Sequence, residues 1–241
     1  MNAGTSPVSA RTWFGRIWQR IATLWYIKST GTMGWIAAFF VGYFWVLRNP
    51  MAEVTTMPFT ALDRWIAFRP EAVLLYVSLW VYVSIPPALV KNFRELFIYG
   101  LATFVLSVLG LAIFLAWPTA VPAFELDFQR YPLLTLLKGV DLTGNACPSL
   151  HVAFAVFSGI WVDRLLREIG SARFVLVLNW LWCFGIVYST LATRQHVVID
   201  VVAGAILGAL AALLHVRALA WYENRRARSS GTTALERQPG S

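Results

Sequence analysis

Charge is scarce in this chain. Asp, Glu, Lys and Arg make up 13% of its 241 residues, about half the share found in soluble domains. Cysteine is nearly absent: Cys147 and Cys183 are the only two, and Cys183 lies inside an apolar run, so a disulfide scaffold is excluded. Histidine occurs three times, and acids are outnumbered 12 to 20 by Lys and Arg. What is plentiful is apolar. Hydrophobic residues reach 58%, aromatics 15%, and the mean hydropathy is +0.62, values that exclude disordered, collagen-like and large soluble architectures. Since about 20 apolar residues cross a bilayer, the expected fold is all-α, a polytopic six-helix transmembrane bundle in one domain.

The few charges bound the spans. Apolar runs occupy Ser29 to Leu47, Ala72 to Val90, Leu96 to about Trp117, Pro148 to Trp161, Phe174 to about Thr193, and Val197 to Leu219. Pro86 and Pro87 should kink or end the second. In this scheme one side of the membrane holds fourteen cations, from Arg11 through Lys91, Arg167 and Arg173 to Arg237. The other holds six: Arg48, Arg64, Arg69, Arg130, Lys138 and Arg194. The positive-inside rule then places both termini in the cytoplasm, so the net charge of +8 reports topology and no nucleic-acid partner is expected. Residues 1–28 read as a retained cytoplasmic lead. Phe14, Ile17, Trp18, Ile21 and Trp25 form one helical stripe in it, which predicts an amphipathic helix lying on the inner leaflet. Residues 29–220 form the six-span domain, and 221–241 read as a disordered cytoplasmic tail.

Ionisable residues inside spans are functional candidates by default. His151 stands one turn into the fourth span, and His196 and Asp200 stand at the start of the sixth, all on the outward side. His215 reads as an interfacial residue at the other end. On a helix, His196 and Asp200 share a face, so the carboxylate can orient one imidazole nitrogen and leave the other as base or nucleophile. Pro148 suits the first helical position, and a helix N-terminus beside the Ser149 hydroxyl is an anion site. Two histidines, a carboxylate and such a terminus describe phosphoryl transfer without a metal or cofactor. Cys147 reads as a small filler.

Here the chain resembles a known family. Pro148-Ser149-Leu150-His151 is similar to the P-S-x-H motif of the type 2 phosphatidic acid phosphatase superfamily. Ser189-Thr190, followed by His196 and Asp200, resembles its S-R-x5-H-x3-D motif. Leu150 and Thr190 depart from the usual Gly and Arg and are closer to the branch of inositol phosphorylceramide synthases. The resemblance covers Arg130 to Leu219 and implies a core over about 96–220. The family's K-x6-R-P motif is not present as such; Arg130 is its nearest replacement, with Lys138 second.

The resemblance implies a lipid phosphatase or phosphotransferase facing the outer (periplasmic, extracellular or lumenal) side, its partners a lipid phosphate and the membrane lipids. His196 would attack phosphorus, oriented by Asp200, giving a phosphohistidine. His151 would protonate the leaving alkoxide and activate the acceptor. Ser149, Arg130 or Lys138, Asn145, Thr190 and Arg194 would bind the phosphoryl oxygens. Three alternatives stand beside hydrolysis of a phosphate monoester. They are transfer of a phosphorylated headgroup to a lipid alcohol, a metalloenzyme using the two His and Asp, and a proton-coupled transporter.

Overall fold

The computed structural model describes residues 12–124, 128–140 and 143–235, with the backbone alone for 138–140 and 221–235. The chain opens with α1 (Trp13–Ala22), whose first turn is capped by the Thr12 hydroxyl accepting from Gly15 N. Its apolar stripe divides between two surroundings. Trp13 and Ile17 pack on the core, whereas Phe14, Trp18 and Ile21 are exposed, as is Trp25 just beyond the helix. Arg20 turns inward to pair with Glu168 at 2.9 Å.

Helix α2 (Trp25–Arg48) follows, then a loop holding β1 (Thr55–Thr56) and α3 (Ala61–Trp65). The second apolar run is broken: a 3₁₀ turn at Pro70–Ala72 leads to α4 (Val73–Val77), α5 (Leu79–Tyr82) and α6 (Ile85–Leu89). Pro86 and Pro87 lie in the first turn of α6, where a missing N–H costs nothing. After α7 (Phe93–Ala116) come β2 (Thr119–Ala120) and α8 (Pro132–Val140). The closing hairpins are α9 (Leu150–Ile169), α10 (Arg173–Ala192) and α11 (Val198–Leu235). Helix α11 runs well past the last apolar span into the stretch read from sequence as a tail, because Ala, Leu, Arg and Glu there favour helix and no proline interrupts them before residue 235. Residues 1–11 and 236–241 lie outside the described residues.

Among the described residues, five helical stretches are long and apolar enough to cross a membrane: Trp25–Arg48, Pro70–Leu89, Phe93–Ala116, Arg173–Ala192 and Val198–Ala220. The fourth run of the sequence differs because α9 carries Asp163, Arg164, Arg167 and Glu168 in its last two turns. It is also the most enclosed of the long helices, with 12 of its 20 residues buried. A helix surrounded by protein tolerates polar groups that a lipid-facing one does not.

The closest helix pair is α9 with α11. A β-carbon on Gly204 would run into the carbonyl of Ser149, and one on Gly208 into that of Ala153. These glycines form a G-x-x-x-G spacing, which lets two backbones meet without side chains between them. The contact is fastened by Ser149 N donating to the Asp200 carbonyl at 3.0 Å. At the far end, Arg164 pairs with the buried Glu95 at 3.1 Å, and Glu168 also accepts from Lys91 at 2.9 Å. The buried Lys28 ammonium donates to the carbonyls of Arg20, Ala88 and Val90 at 2.6, 3.0 and 2.8 Å.

The loops at the other end are tied together by a pairing that an all-α reading omits. β1 runs parallel to β2, with Thr55 opposite Thr119 and Thr56 opposite Ala120. Thr119, fully buried, also gathers the strand before α9: its carbonyl accepts from Gly144 N and Ala146 N, and its hydroxyl from Cys147 N at 2.7 Å. A short extended segment after Pro118 satisfies backbone groups that would otherwise be buried without partners.

Candidate active site

Helix α9 starts later than the sequence reading expects. Ser149 is its N-cap, its Oγ accepting from Val152 N at 3.3 Å, and Pro148 precedes the cap instead of occupying the first helical position. The serine side chain can accept that N–H only from an extended backbone, which pushes the proline outside the helix. Ser149 is fully buried. His151, in the first turn, lies flat against the ring of Tyr76, with centroids 3.9 Å apart and planes 14° from parallel. Its Nε2 is buried and has no hydrogen-bond partner among the described residues.

His196 is not on a helix. It stands in the extended approach to α11, its N–H donating to the Thr190 carbonyl at 3.1 Å. Asp200 sits in the first turn of α11 and is fully buried; its Oδ2 accepts from Val197 N at 3.0 Å. That same oxygen lies 3.6 Å from His196 Nδ1. The i, i+4 relation thus survives, but through a capping geometry in which the carboxylate closes the helix start and faces the imidazole at once. Neither His196 Nδ1 nor the second carboxylate oxygen, Asp200 Oδ1, has a hydrogen-bond partner among the described residues.

The two imidazoles meet in one cavity of 1020 Å³. Its long walls are apolar: Gly31 to Phe44 of α2, Tyr76 to Pro87 of the broken second span, and Leu96 to Phe104 of α7. The α2 wall alone extends about 20 Å at 1.5 Å per residue. The imidazole and amide groups of its lining, His151, His196, Asn145 and Gln195, come from around the starts of α9 and α11. Asn145 Nδ2 donates to the Tyr43 hydroxyl. No Lys or Arg occurs among the described residues that line it.

The remaining predicted ligands are placed elsewhere or turned away. Thr190 is fully buried and its hydroxyl donates to Val187 O at 2.8 Å, while its carbonyl shapes the turn that presents His196. Arg194 holds the carbonyls of Asp63 and Ile66 at 3.1 and 2.7 Å and covers the rings of Phe59 and Phe124, tying the loop after α2 to the α10–α11 turn. Arg130 is exposed in a 3₁₀ turn and does not line the cavity. Lys138 is on α8, and its side chain lies outside the described residues. Cys147 is free and buried; desolvation, with the Asp200 carboxylate adding to it, pushes its thiol up to about 11. Among the described residues no three His, Cys, Asp or Glu side chains come together to hold a metal ion.

Three residues of this region escaped the sequence reading. Tyr76 backs His151 from a distant span. Asp63, buried, caps α3 in a reciprocal box with Thr60 and accepts from Val198 N at 2.8 Å, so it closes α11 from the loop after α2. Gln195 is 6% exposed, lines the cavity, and has a buried Nε2 with no hydrogen-bond partner among the described residues. Only Gln195 carried a signal, its adjacency to His196.

The profile of the PAP2 superfamily matches residues 92–225, the stretch that contributes His151, His196 and Asp200. The chain belongs to the PAP2 superfamily. Members of that superfamily are phosphatases or phosphotransferases, and the apolar helices of this chain fit a membrane lipid enzyme of either kind. No curated protein and no solved structure matches the chain.

Proposed function

We propose that this PAP2 protein hydrolyses a lipid phosphate monoester at the outer face of the membrane, through a phosphohistidine on His196. The observation that carries this reading is the make-up of the cavity: two imidazoles, with the amides of Asn145 and Gln195, in one long and mostly apolar chamber that suits an amphiphile. A volume of 1020 Å³ is at the upper end for a small-molecule site, as a lipid requires. His196 attacks phosphorus while Asp200 stabilises the imidazolium that forms. His151 Nε2, without a hydrogen-bond partner among the described residues, donates a proton to the leaving alkoxide and then takes one from water. The Asn145 and Gln195 amides and the first N–H groups of α9 face the charge that develops on the phosphoryl oxygens. In this reading α9 crosses the membrane as a sixth, protein-enclosed span, both termini are cytoplasmic, and α1 rests on the inner leaflet with Phe14, Trp18 and Ile21 in the headgroup region.

Transfer of a phosphorylated headgroup to a lipid alcohol is the second reading. The neutral lining favours it, because a diester monoanion is less costly to desolvate among amides than a monoester dianion. The test supplies purified protein with a panel of lipid phosphate monoesters and no alcohol. Phosphate release supports hydrolysis. No release, together with formation of a new phosphodiester when a headgroup donor and ceramide or diacylglycerol are added, replaces it with transfer.

A further inference from the structure

At the opposite end of the bundle, where α9 turns into α10, a second cavity of 410 Å³ opens between the two helices. Its mouth carries Arg167 and Arg173, and its floor is Leu176, Trp180, Leu181 and Phe184. Arg167 is already neutralised: Nε and Nη2 reach Asp163 at 2.6 and 3.1 Å. Trp180 Nε1 donates to the same carboxylate at 3.1 Å, so Asp163 has no room for another cation. Arg173 is exposed and has no acid partner among the described residues. The start of α10 adds to this charge. Ala172 is the N-cap and offers no side-chain acceptor, and the first turn holds no acid, so the positive end of the helix is left open. Arg16 approaches from α1, its guanidinium 3.1 Å from where a β-carbon on Gly170 would stand.

We propose that this groove binds an anionic phospholipid, with the phosphate on Arg173 and the open end of α10 and an acyl chain along Trp180 and Phe184. Charge selects this occupant. Exposed aromatic and aliphatic side chains on a membrane helix meet lipid of any class, but an unpaired guanidinium above an uncapped helix start is matched only by an anion. The spacing agrees as well: Phe184 lies eleven residues below Arg173, about 16 Å along the helix, so the cation and the apolar bed are arranged as one lipid presents them. This site is separate from the His151–His196 cavity and does not depend on which reaction that cavity performs.

The test uses the full chain in detergent, delipidated and exposed to equal amounts of phosphatidylglycerol and phosphatidylcholine, with retained lipid counted by native mass spectrometry. Wild-type protein should retain phosphatidylglycerol preferentially. Arg173→Gln should lower that preference about fivefold, and Arg173→Lys should keep most of it. Ala172→Asp separates a lipid site from a structural role, because an aspartate caps α10 and raises the melting temperature while repelling a phosphate. It should therefore cost the preference without costing stability. Arg48→Gln, at the other end of the bundle, should change neither. The proposal is overturned if wild type shows no preference, or if Arg173→Gln and Ala172→Asp both retain it.

Discussion

The ring of Tyr76 lies on the imidazole of His151 at 3.9 Å, nearly parallel. The two residues come from different helices, α4 and α9, so the stack fixes a side chain that α9 alone would leave with rotamer freedom. Removing it with Tyr76→Ala should lower turnover of a lipid phosphate by about tenfold through misplacement of His151. Tyr76→Phe, which keeps the ring, should stay near wild type. Equal losses in both variants would show that the hydroxyl matters and the stack does not.

The proposed roles of the histidines separate by leaving group. His196→Ala should abolish turnover of every substrate, and Asp200→Asn should leave a reduced rate because the nucleophile remains. His151→Ala should lose about a hundredfold or more on a lipid phosphate but much less on p-nitrophenyl phosphate, whose leaving group hardly needs a proton. If His151→Ala is equally impaired on both, the general-acid assignment fails.

Contact between α9 and α11 sets the separation of these groups. Gly204→Ala and Gly208→Ala each force a methyl against a carbonyl of the facing helix, an overpacking that should cost about 1–3 kcal/mol. Thermal unfolding in detergent should show both variants melting below wild type, and activity should fall further than stability because Ser149 and Asp200 are displaced together. The exposed Gly34, with nothing within 4 Å of its would-be β-carbon, should accept alanine without loss.

Cys147 adjoins the site yet should be inert. With its thiol pushed up to about 11, only about one molecule in a thousand is thiolate at pH 8, and thiolate is the reactive form. Mass spectrometry after exposure to N-ethylmaleimide at pH 8 should find Cys147 unmodified, with labelling appearing only as the pH approaches 11. Modification at pH 8 at the rate of a free thiol would contradict the burial.

Much of this was legible in the sequence because hydropathy and punctuation are local signals. Apolar runs between charges locate α2, α7, α10 and α11, and the paired prolines mark the break before α6. His151 and His196 share a cavity, as their placement at two span starts on one side suggests. What escaped is what depends on three-dimensional neighbours. Tyr76 and Asp63 act on His151 and α11 from over 70 residues away, and nothing in their own surroundings announces it. Thr119 looks like any loop threonine until β1 and the strand before α9 arrive beside it. Arg194 was a phosphate candidate by type; its φ of +57° and the carbonyls of Asp63 and Ile66 turn it into a loop tie. The charge-bounded spans also hid that α9 is sheltered by its neighbours, so its terminal charges shorten its apolar run without moving it from the centre.

Two of the three long cavity walls, from α2 and the broken second span, precede residue 92, whereas the histidines and Asp200 fall within the stretch that matches the PAP2 superfamily. In the proposed reading, much of the wall that meets the lipid tail is therefore encoded apart from the groups that react at its head, with the α7 wall the exception. A change before residue 92 can retune which membrane amphiphile is accepted while the reacting groups stay in place, so the breadth of substrates open to such a protein can drift without its chemistry being rebuilt.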